Sequence, residues 1–196
     1  LIPIFDTAGE ESIDLYKRGL KIEIKNDGSP VSNGDLIVNE IITRKISELT
    51  PEIPIISEET VNLNVKNTNK SFWLIDPIDG TRDYINKKDE YTLNACLVIN
   101  LKPAIGIIYA PKKDRLFFSY GDGQAFEIFN GKRSILNCKK KDDKEIIGLE
   151  NSRQTPDEVL KIYEEYKVSK KIKMSSSYKF CVLASGEADI YAANAR

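Results

Sequence analysis

Two aspartates stand three residues apart in the segment Asp76-Pro77-Ile78-Asp79-Gly80-Thr81. The apolar run at residues 72–75 predicts a buried strand that ends at the first of them. The proline stiffens the turn that follows, and the glycine permits a strained backbone there. Two carboxylates with a carbonyl between them offer the oxygen ligands that Mg²⁺ prefers, and a helix beginning at Thr81 would suit an anion. The segment could equally be an Asp turn that caps a helix.

A second acidic pair, Glu58-Glu59, follows the apolar stretch at residues 53–56. Adjacent glutamates are usually only solvated, but a position at the tip of a strand favours a role as ligands. A third stretch, residues 25–35, is rich in polar turn residues and leads into a helix. Its candidate helix cap is Ser32 or Asp35, and capping alone would explain Asp35.

The composition excludes several kinds of chemistry. The chain has no histidine, which excludes Ser-His-Asp and Cys-His catalysis and imidazole zinc sites. Its 29 basic and 30 acidic residues nearly balance, so no overall basic field favours nucleic acid. No apolar run approaches the roughly 18 residues that span a bilayer, and no secretion signal is evident. We therefore expect a cytoplasmic protein whose three cysteines are reduced thiols.

The remaining patterns predict alternating helices and strands. Apolar spacing predicts helices over residues 1–16 and 38–49, the second closed by prolines. Residues 91–136 predict a five-stranded antiparallel meander, with a hairpin at Asn130-Gly131. Short strands at residues 146–149 and 172–174 flank a helix that we expect to begin with the capping box Thr155-Pro156-Asp157-Glu158. The charged run at residues 139–144 is a boundary between lobes or a solvated loop. The fold class is layered α/β.

Taken together, these segments resemble the inositol monophosphatase superfamily of metal-dependent phosphatases. Within it they are most similar to the 3'(2'),5'-bisphosphate nucleotidase (CysQ-type) branch. The matching segments are residues 25–35, 57–59, 73–81, 103–111 and 176–181. The branch is indicated by Arg82-Asp83-Tyr84, a basic, an acidic and an aromatic residue, where inositol phosphatases usually carry Thr-Asn-Phe.

The resemblance implies the layered αβαβα sandwich of the inositol monophosphatase and fructose-1,6-bisphosphatase fold. It implies an N-terminal lobe, residues 1–142, with an antiparallel sheet and the metal site. A smaller α/β lobe, residues 143–196, would contribute substrate contacts and looks incomplete.

The resemblance also implies a site that holds two or three Mg²⁺ ions. The positions that match the family's metal ligands are Glu58, Asp76, Asp79 and the carbonyl of Ile78. Glu58 and Thr81 would orient a water molecule and take its proton, with Asp35 as a supporting general base. The substrate-binding positions would be the amides of Gly80 and Thr81 and the residues Ser176, Ser177 and Lys179. The implied reaction converts adenosine 3',5'-bisphosphate to AMP and phosphate, with the sulfated nucleotide PAPS as a second substrate.

The sequence departs from the family pattern in two places. Position 175 is Ser where the family usually has Gly. The family's further aspartate ligand, in a Trp-Asp-x-Ala-Ala segment, has no counterpart, because Tyr191 runs directly into Ala192-Ala193. One hypothesis is that these alanines belong to that segment and that the residues before them are absent.

Two other functions stay open at this point. The protein could be an inositol monophosphatase, with the same metals and chemistry, or an inactive nucleotide-binding module. We expect a monomer or homodimer with no integral membrane segment, although bacterial relatives of this branch can associate peripherally with the inner membrane.

Overall fold

The fold is built from twelve strands and five helices in the described residues of a computed structural model. These residues are 1–25, 28–60, 69–121, 123–138, 145–151 and 154–193. The elements are α1 (Ile2–Arg18), β1 (Ile22–Ile24), β2 (Pro30–Ser32), α2 (Asn33–Leu49), β3 (Ile55–Ser57), β4 (Phe72–Asp79), α3 (Thr81–Ile85), β5 (Thr92–Ile99), β6 (Lys102–Ala110), β7 (Arg115–Tyr120), β8 (Ala125–Phe129), β9 (Lys132–Ile135), β10 (Ile147–Asn151), α4 (Asp157–Glu165), β11 (Lys170–Met174), α5 (Tyr178–Ala184) and β12 (Ile190–Tyr191). A short 3₁₀ turn, Pro111–Lys113, joins β6 to β7.

The larger sheet has seven strands in the order β3-β4-β5-β6-β7-β8-β9. Every neighbouring pair is antiparallel except β3 and β4, which run parallel. The predicted meander is therefore confirmed. Asn130 and Gly131 both have positive φ angles, 49° and 69°, as the tight turn between β8 and β9 requires.

Helices α1 and α2 cover one face of this sheet. Their apolar residues recur every three or four positions, so each helix turns one stripe inward. Phe5 and Ala8 of α1 and Ile42 of α2 are fully buried against strand residues such as Ile75 and Leu93. This contact forms the larger of two cores.

A second, smaller sheet is parallel, with strand order β11-β10-β12. Leu149 on β10 packs with Cys181 and Val182 of α5 and with Phe117 of the large sheet. The other face of β10 lies against α4, because a Cβ atom added to Gly148 would contact the ring of Tyr163 in that helix. The layers are therefore α1 with α2, the large sheet, α5, the small sheet and α4, which confirms the αβαβα sandwich.

Two local predictions are wrong. The strand expected to end at Asp76 continues as β4 to Asp79. The capping box expected at Thr155 does not form: α4 begins at Asp157 with Pro156 as its N-cap and no side-chain cap bond. The reason is that Pro156 has an extended ψ of 151°, so it stands outside the helix, and the Thr155 hydroxyl is buried without a hydrogen-bond partner.

Several predicted features lie outside the described residues. They are most of the loop at residues 60–70, positions 26 and 27 of the turn before β2, and the charged run at 139–144. The lobe boundary between 142 and 143 falls there too, so the division into two lobes stays a prediction.

Candidate active site

A β-bulge turns Asp76 and Asp79 toward the same side of the sheet. Side chains of a regular strand alternate between faces, so residues three apart would point in opposite directions. Here Asp76 pairs with Asn94 and Asp79 pairs with Thr92, so β4 carries one residue more than β5 across this interval. Because of this extra residue, the two carboxylates point to the same side of the sheet.

Glu58 joins them because β3 and β4 are parallel. Ser57 pairs with Ile75, and the Glu58 amide donates to the Ile75 carbonyl at 3.0 Å. Glu58 therefore emerges beside Asp76 at the same edge of the sheet, and its carboxyl group is near enough to raise the pKa of Asp76.

The Asp76 carboxyl group is held in an unfavourable environment. Burial, together with the nearby carboxyl groups of Asp79 and Glu58, raises the pKa of Asp76 to about 8. Burial also raises the pKa of Asp79. Asp76 Oδ1 is one of only two buried side-chain polar atoms in the described chain that have no hydrogen-bond partner. An unpaired buried oxygen among carboxylates is costly, and a hard cation would satisfy it.

The residues present therefore fit Mg²⁺ in their chemistry. Glu58, Asp76 and Asp79 are oxygen donors whose charges repel one another until a cation neutralises them. Within the described ranges no group of three or more acidic or cysteine side chains has an arrangement that could hold a metal ion. The fit rests on the unpaired Asp76 oxygen and on the donor types.

Lys25 supplies a positive charge next to this cluster. Its Nζ atom lies 2.8 Å from Glu59 Oε1 and 3.5 Å from Glu58 Oε1. Burial alone would lower the pKa of Lys25, but its bonds to Glu59 and Glu58 raise it overall. Burial likewise raises the pKa of Glu59, against the effect of Lys25. Glu59 therefore serves mainly as the partner of Lys25, a pairing that the sequence alone did not assign.

Asp35 reaches the site through the start of α2. Of the two candidates, Ser32 is the N-cap, and its hydroxyl accepts from the Gly34 amide. Asp35 is its partner in a capping box and accepts from the Ser32 amide at 2.8 Å. The other Asp35 oxygen, Oδ1, accepts a hydrogen bond from Thr81 Oγ1 at 3.0 Å. Burial raises the pKa of Asp35, although its bonds to Ser32 and Thr81 oppose the rise. The structure thus joins Asp35 to Thr81, as the resemblance required.

Thr81 begins the five-residue helix α3, directly after Gly80. Gly80 has a φ of +92°, a conformation that favours glycine, and an added Cβ would lie 3.3 Å from the Cβ of Ser176. Thr81 Oγ1 also lies 3.1 Å from the Ile78 carbonyl oxygen. The predicted ligand Ile78 is therefore in hydrogen-bonding contact with the predicted catalytic threonine.

The loop before α5 is tied to the large sheet and to the segment that leads into β5. The Ser177 amide donates to Asp79 Oδ2, and the Ser177 hydroxyl donates to Asn94 Oδ1 at 2.6 Å. Ser175 donates from its amide to Glu90 Oε2 at 3.0 Å. Sequence reasoning missed Asn94 and Glu90, although the position of Asn94 opposite Asp76 follows from the strand register.

The other two predicted substrate residues are largely buried. Ser176 has a positive φ of 50°, so the strained position is 176 and not the adjacent Ser175. Lys179 donates from Nζ to the Ser176 carbonyl at 2.8 Å and lies over the rings of Phe180 and Tyr191. Its positive charge opposes part of the rise that burial causes in the pKa of Asp79. Lys179 is therefore part of the loop structure and not a simple surface lysine.

The aspartate of the family's Trp-Asp segment is not provided by residues 1–196. Tyr191 and Ala192 are consecutive in the chain, and the Ala192 amide donates to Tyr163 Oη at 3.2 Å. The hypothesis that residues are absent before Ala192 stays a prediction.

Residues 2–195 match the inositol monophosphatase family. The chain belongs to this family. Members of the inositol monophosphatase family are metal-dependent phosphatases, generally with Mg²⁺.

Its relatives within the family include nucleotidases of the CysQ type. The chain is 36% identical over 189 residues to the 3'(2'),5'-bisphosphate nucleotidase CysQ of Buchnera aphidicola, covering 94% of this chain and 70% of that protein. It is 29% identical to the CysQ of Salmonella typhimurium, covering 94% and 75%.

Solved structures agree on the fold. The crystal structure of CysQ from Bacteroides thetaiotaomicron superposes with a TM-score of 0.79 at 26% identity, covering 97% of this chain and 76% of that one. An inositol monophosphatase of Thermotoga maritima gives 0.78 at 20% identity, covering 97% and 73%, and so shows the fold alone. In the described part of the chain no helix is long and apolar enough to cross a membrane.

Proposed function

We propose that this protein is a Mg²⁺-dependent phosphomonoesterase that hydrolyses adenosine 3',5'-bisphosphate to AMP and phosphate, with PAPS as a second substrate. The observation that carries the proposal is the cluster of Glu58, Asp76 and Asp79, in which a buried Asp76 oxygen has no partner. The similarity to CysQ nucleotidases supports the choice of substrate. We further propose that it acts in the cytoplasm as a monomer or homodimer.

The metal ligands in this proposal are Glu58, Asp76, Asp79 and the Ile78 carbonyl, holding two or three Mg²⁺ ions. Bound there, Mg²⁺ would neutralise charge on the phosphoryl oxygens and make a water molecule more acidic. The Ser177 amide occupies Asp79 Oδ2, so it orients this carboxylate and leaves Oδ1 for the site.

Proton transfer is assigned to the pair Thr81 and Asp35. Thr81 Oγ1 would accept the proton of the attacking water as its own proton passes to Asp35 Oδ1, 3.0 Å away. The raised pKa of Asp35 suits a carboxylate that must take up a proton. Glu58 would orient the same water. The scheme needs no histidine and no covalent enzyme intermediate.

Substrate binding is assigned to the two sides of the site. The amides of Gly80 and Thr81 would hold the phosphate that is cleaved, because the left-handed backbone of Gly80 lies between them. Ser176, Ser177 and Lys179 would lie near the nucleotide. Since both the amide and the hydroxyl of Ser177 already have protein partners, we assign this residue mainly to holding Asp79.

The test is phosphate release with Mg²⁺ from adenosine 3',5'-bisphosphate and from inositol 1-phosphate, compared as kcat/KM. We expect the nucleotide to be preferred by at least about tenfold. The matched control is Asp79→Asn protein purified in the same way, which should lose at least about a hundredfold in kcat because a ligand carboxylate is removed.

Three outcomes would contradict the proposal. A preference for the inositol ester would make the protein an inositol monophosphatase. Nucleotide binding without phosphate release from any monoester would make it an inactive binding module. Near-normal turnover by the Asp79→Asn variant would show that Asp79 is not a metal ligand.

A further inference from the structure

Helix α5 is the element whose position decides whether Ser177 reaches Asp79. It begins at Tyr178, directly after Ser177, and is seven residues long. So short a helix has little stability of its own, and its place is set by tertiary contacts. The bonds from Ser177 to Asp79 and Asn94 hold only the residue before its first turn.

Arg115 ties α5 to the large sheet at a second place. This residue begins β7, and its Nη1 atom donates to Tyr178 Oη at 2.8 Å. The same guanidinium group donates from Nη2 to Glu187 Oε1 at 2.5 Å, just beyond the end of α5. It therefore contacts both the start of the helix and the turn that follows it.

The guanidinium group is anchored on the sheet side as well. Its Nε atom donates to Glu127 Oε1 on β8 at 2.5 Å, and the rings of Phe117 and Tyr178 lie 4.9 and 5.7 Å from its carbon Cζ. The side chains of Arg115 and Glu127 are each only 12% exposed. A planar group with five donors can serve three partners at once, which a lysine ammonium cannot do with the same geometry.

We propose that Arg115 is a positioning residue for the phosphatase site: by holding Tyr178 and Glu187 against the large sheet, it fixes α5 so that the Ser177 amide meets Asp79. The proposal rests on the proposed function for its kinetic consequence, but the structural link is measurable by itself. Loss of this link should loosen the loop that carries Ser176 and Lys179, the residues assigned near the nucleotide, whereas Asp79 is still held by its own strand β4. Substrate binding should therefore weaken more than the chemical step.

The experiment compares Arg115→Met, Arg115→Lys and Tyr178→Phe with the matched control Arg133→Met. Arg133 also lies over aromatic rings of the large sheet, those of Phe118 and Phe126, and also bonds a tyrosine, Tyr120. Two quantities are measured for each: amide hydrogen exchange of residues 177–184 in the native protein, and KM and kcat for adenosine 3',5'-bisphosphate with saturating Mg²⁺.

For Arg115→Met we expect exchange at residues 177–184 to rise about tenfold, because local opening of α5 becomes easier. KM should rise about fivefold while kcat changes by less than about twofold. Tyr178→Phe should show a smaller change in the same direction, and Arg115→Lys should recover part of the protection. Arg133→Met should behave as wild type.

The proposal would be overturned if Arg115→Met showed the same amide exchange and the same KM as Arg133→Met. It would also be overturned if Arg115→Met lowered kcat but left KM and amide exchange unchanged. Should Arg115→Met fail to fold, the double variant Tyr178→Phe, Glu187→Gln decides in its place, since it keeps the arginine. A wild-type protein that releases no phosphate would refute the proposed function, while the exchange data would still decide the role of Arg115.

Discussion

At the scale of single residues, the site depends on which partner each oxygen has. Asp35 gives one oxygen to Ser32 and the other to Thr81, so its position is fixed from two sides. Thr81 lies between Asp35 and the Ile78 carbonyl. Both of these neighbours are acceptors, so the hydroxyl donates its single proton to them and keeps its oxygen lone pairs for a third group such as water.

Thr81→Val should therefore lower kcat by about a hundredfold, because it removes the hydroxyl that passes a proton to Asp35. Thr81→Ser keeps a hydroxyl and should stay within about tenfold of wild type. Steady-state kinetics on both variants is the measurement. Equal activity of the valine and serine variants would rule out proton transfer through this residue.

At the scale of elements, two irregularities bring the site together. The bulge in β4 puts Asp76 and Asp79 on one side, and the capping box of α2 presents Asp35 to α3. Each feature involves only a few residues of its own strand or helix, yet its effect is to join residues from separate elements. A change in the cap of α2 should therefore also change the activity of the enzyme.

Ser32→Ala should lower the free energy of unfolding by about 1 kcal/mol through loss of the helix cap. It should also reduce activity, because Asp35 loses the Ser32 hydroxyl bond at 2.7 Å. Urea denaturation measures the first effect. The control is Ser47→Ala, an exposed serine in the same helix, which should be neutral or slightly stabilising. Equal stability of the two variants would contradict the assigned cap.

At the scale of the whole molecule, the fold carries a cluster of carboxylates that it stabilises poorly without a cation. The folded-state pKa of Asp76, about 8, lies above its usual value of 3.8. The folded protein therefore holds a proton on Asp76 that the unfolded chain has released between these pH values. The corresponding stability is present at low pH and is lost as the pH rises toward about 8.

In EDTA, we expect the unfolding midpoint to fall as the pH rises from 5 to 8. Addition of Mg²⁺ should restore stability most at pH 8, because the ion binds the ionised carboxylates. Asp76→Asn should flatten the pH dependence in EDTA, since the titrating group is gone. Thermal unfolding followed by circular dichroism is the measurement. A midpoint that rises over this range in EDTA, with the same slope in Asp76→Asn, would contradict the account.

The sequence by itself determined most of the order of the elements and the meander with its Asn130-Gly131 turn, and it predicted Glu58, Asp76 and Asp79 as metal ligands. It could do so because periodicity, turn chemistry and an Asp-x-x-Asp-Gly-Thr segment are local features. The tertiary structure alone decided the bulge in β4, the pairing of Lys25 with Glu59, and the bonds from Ser177 and Arg115 across the layers. These contacts depend on strand register and helix packing between residues as much as 98 positions apart, and no local pattern encodes that distance.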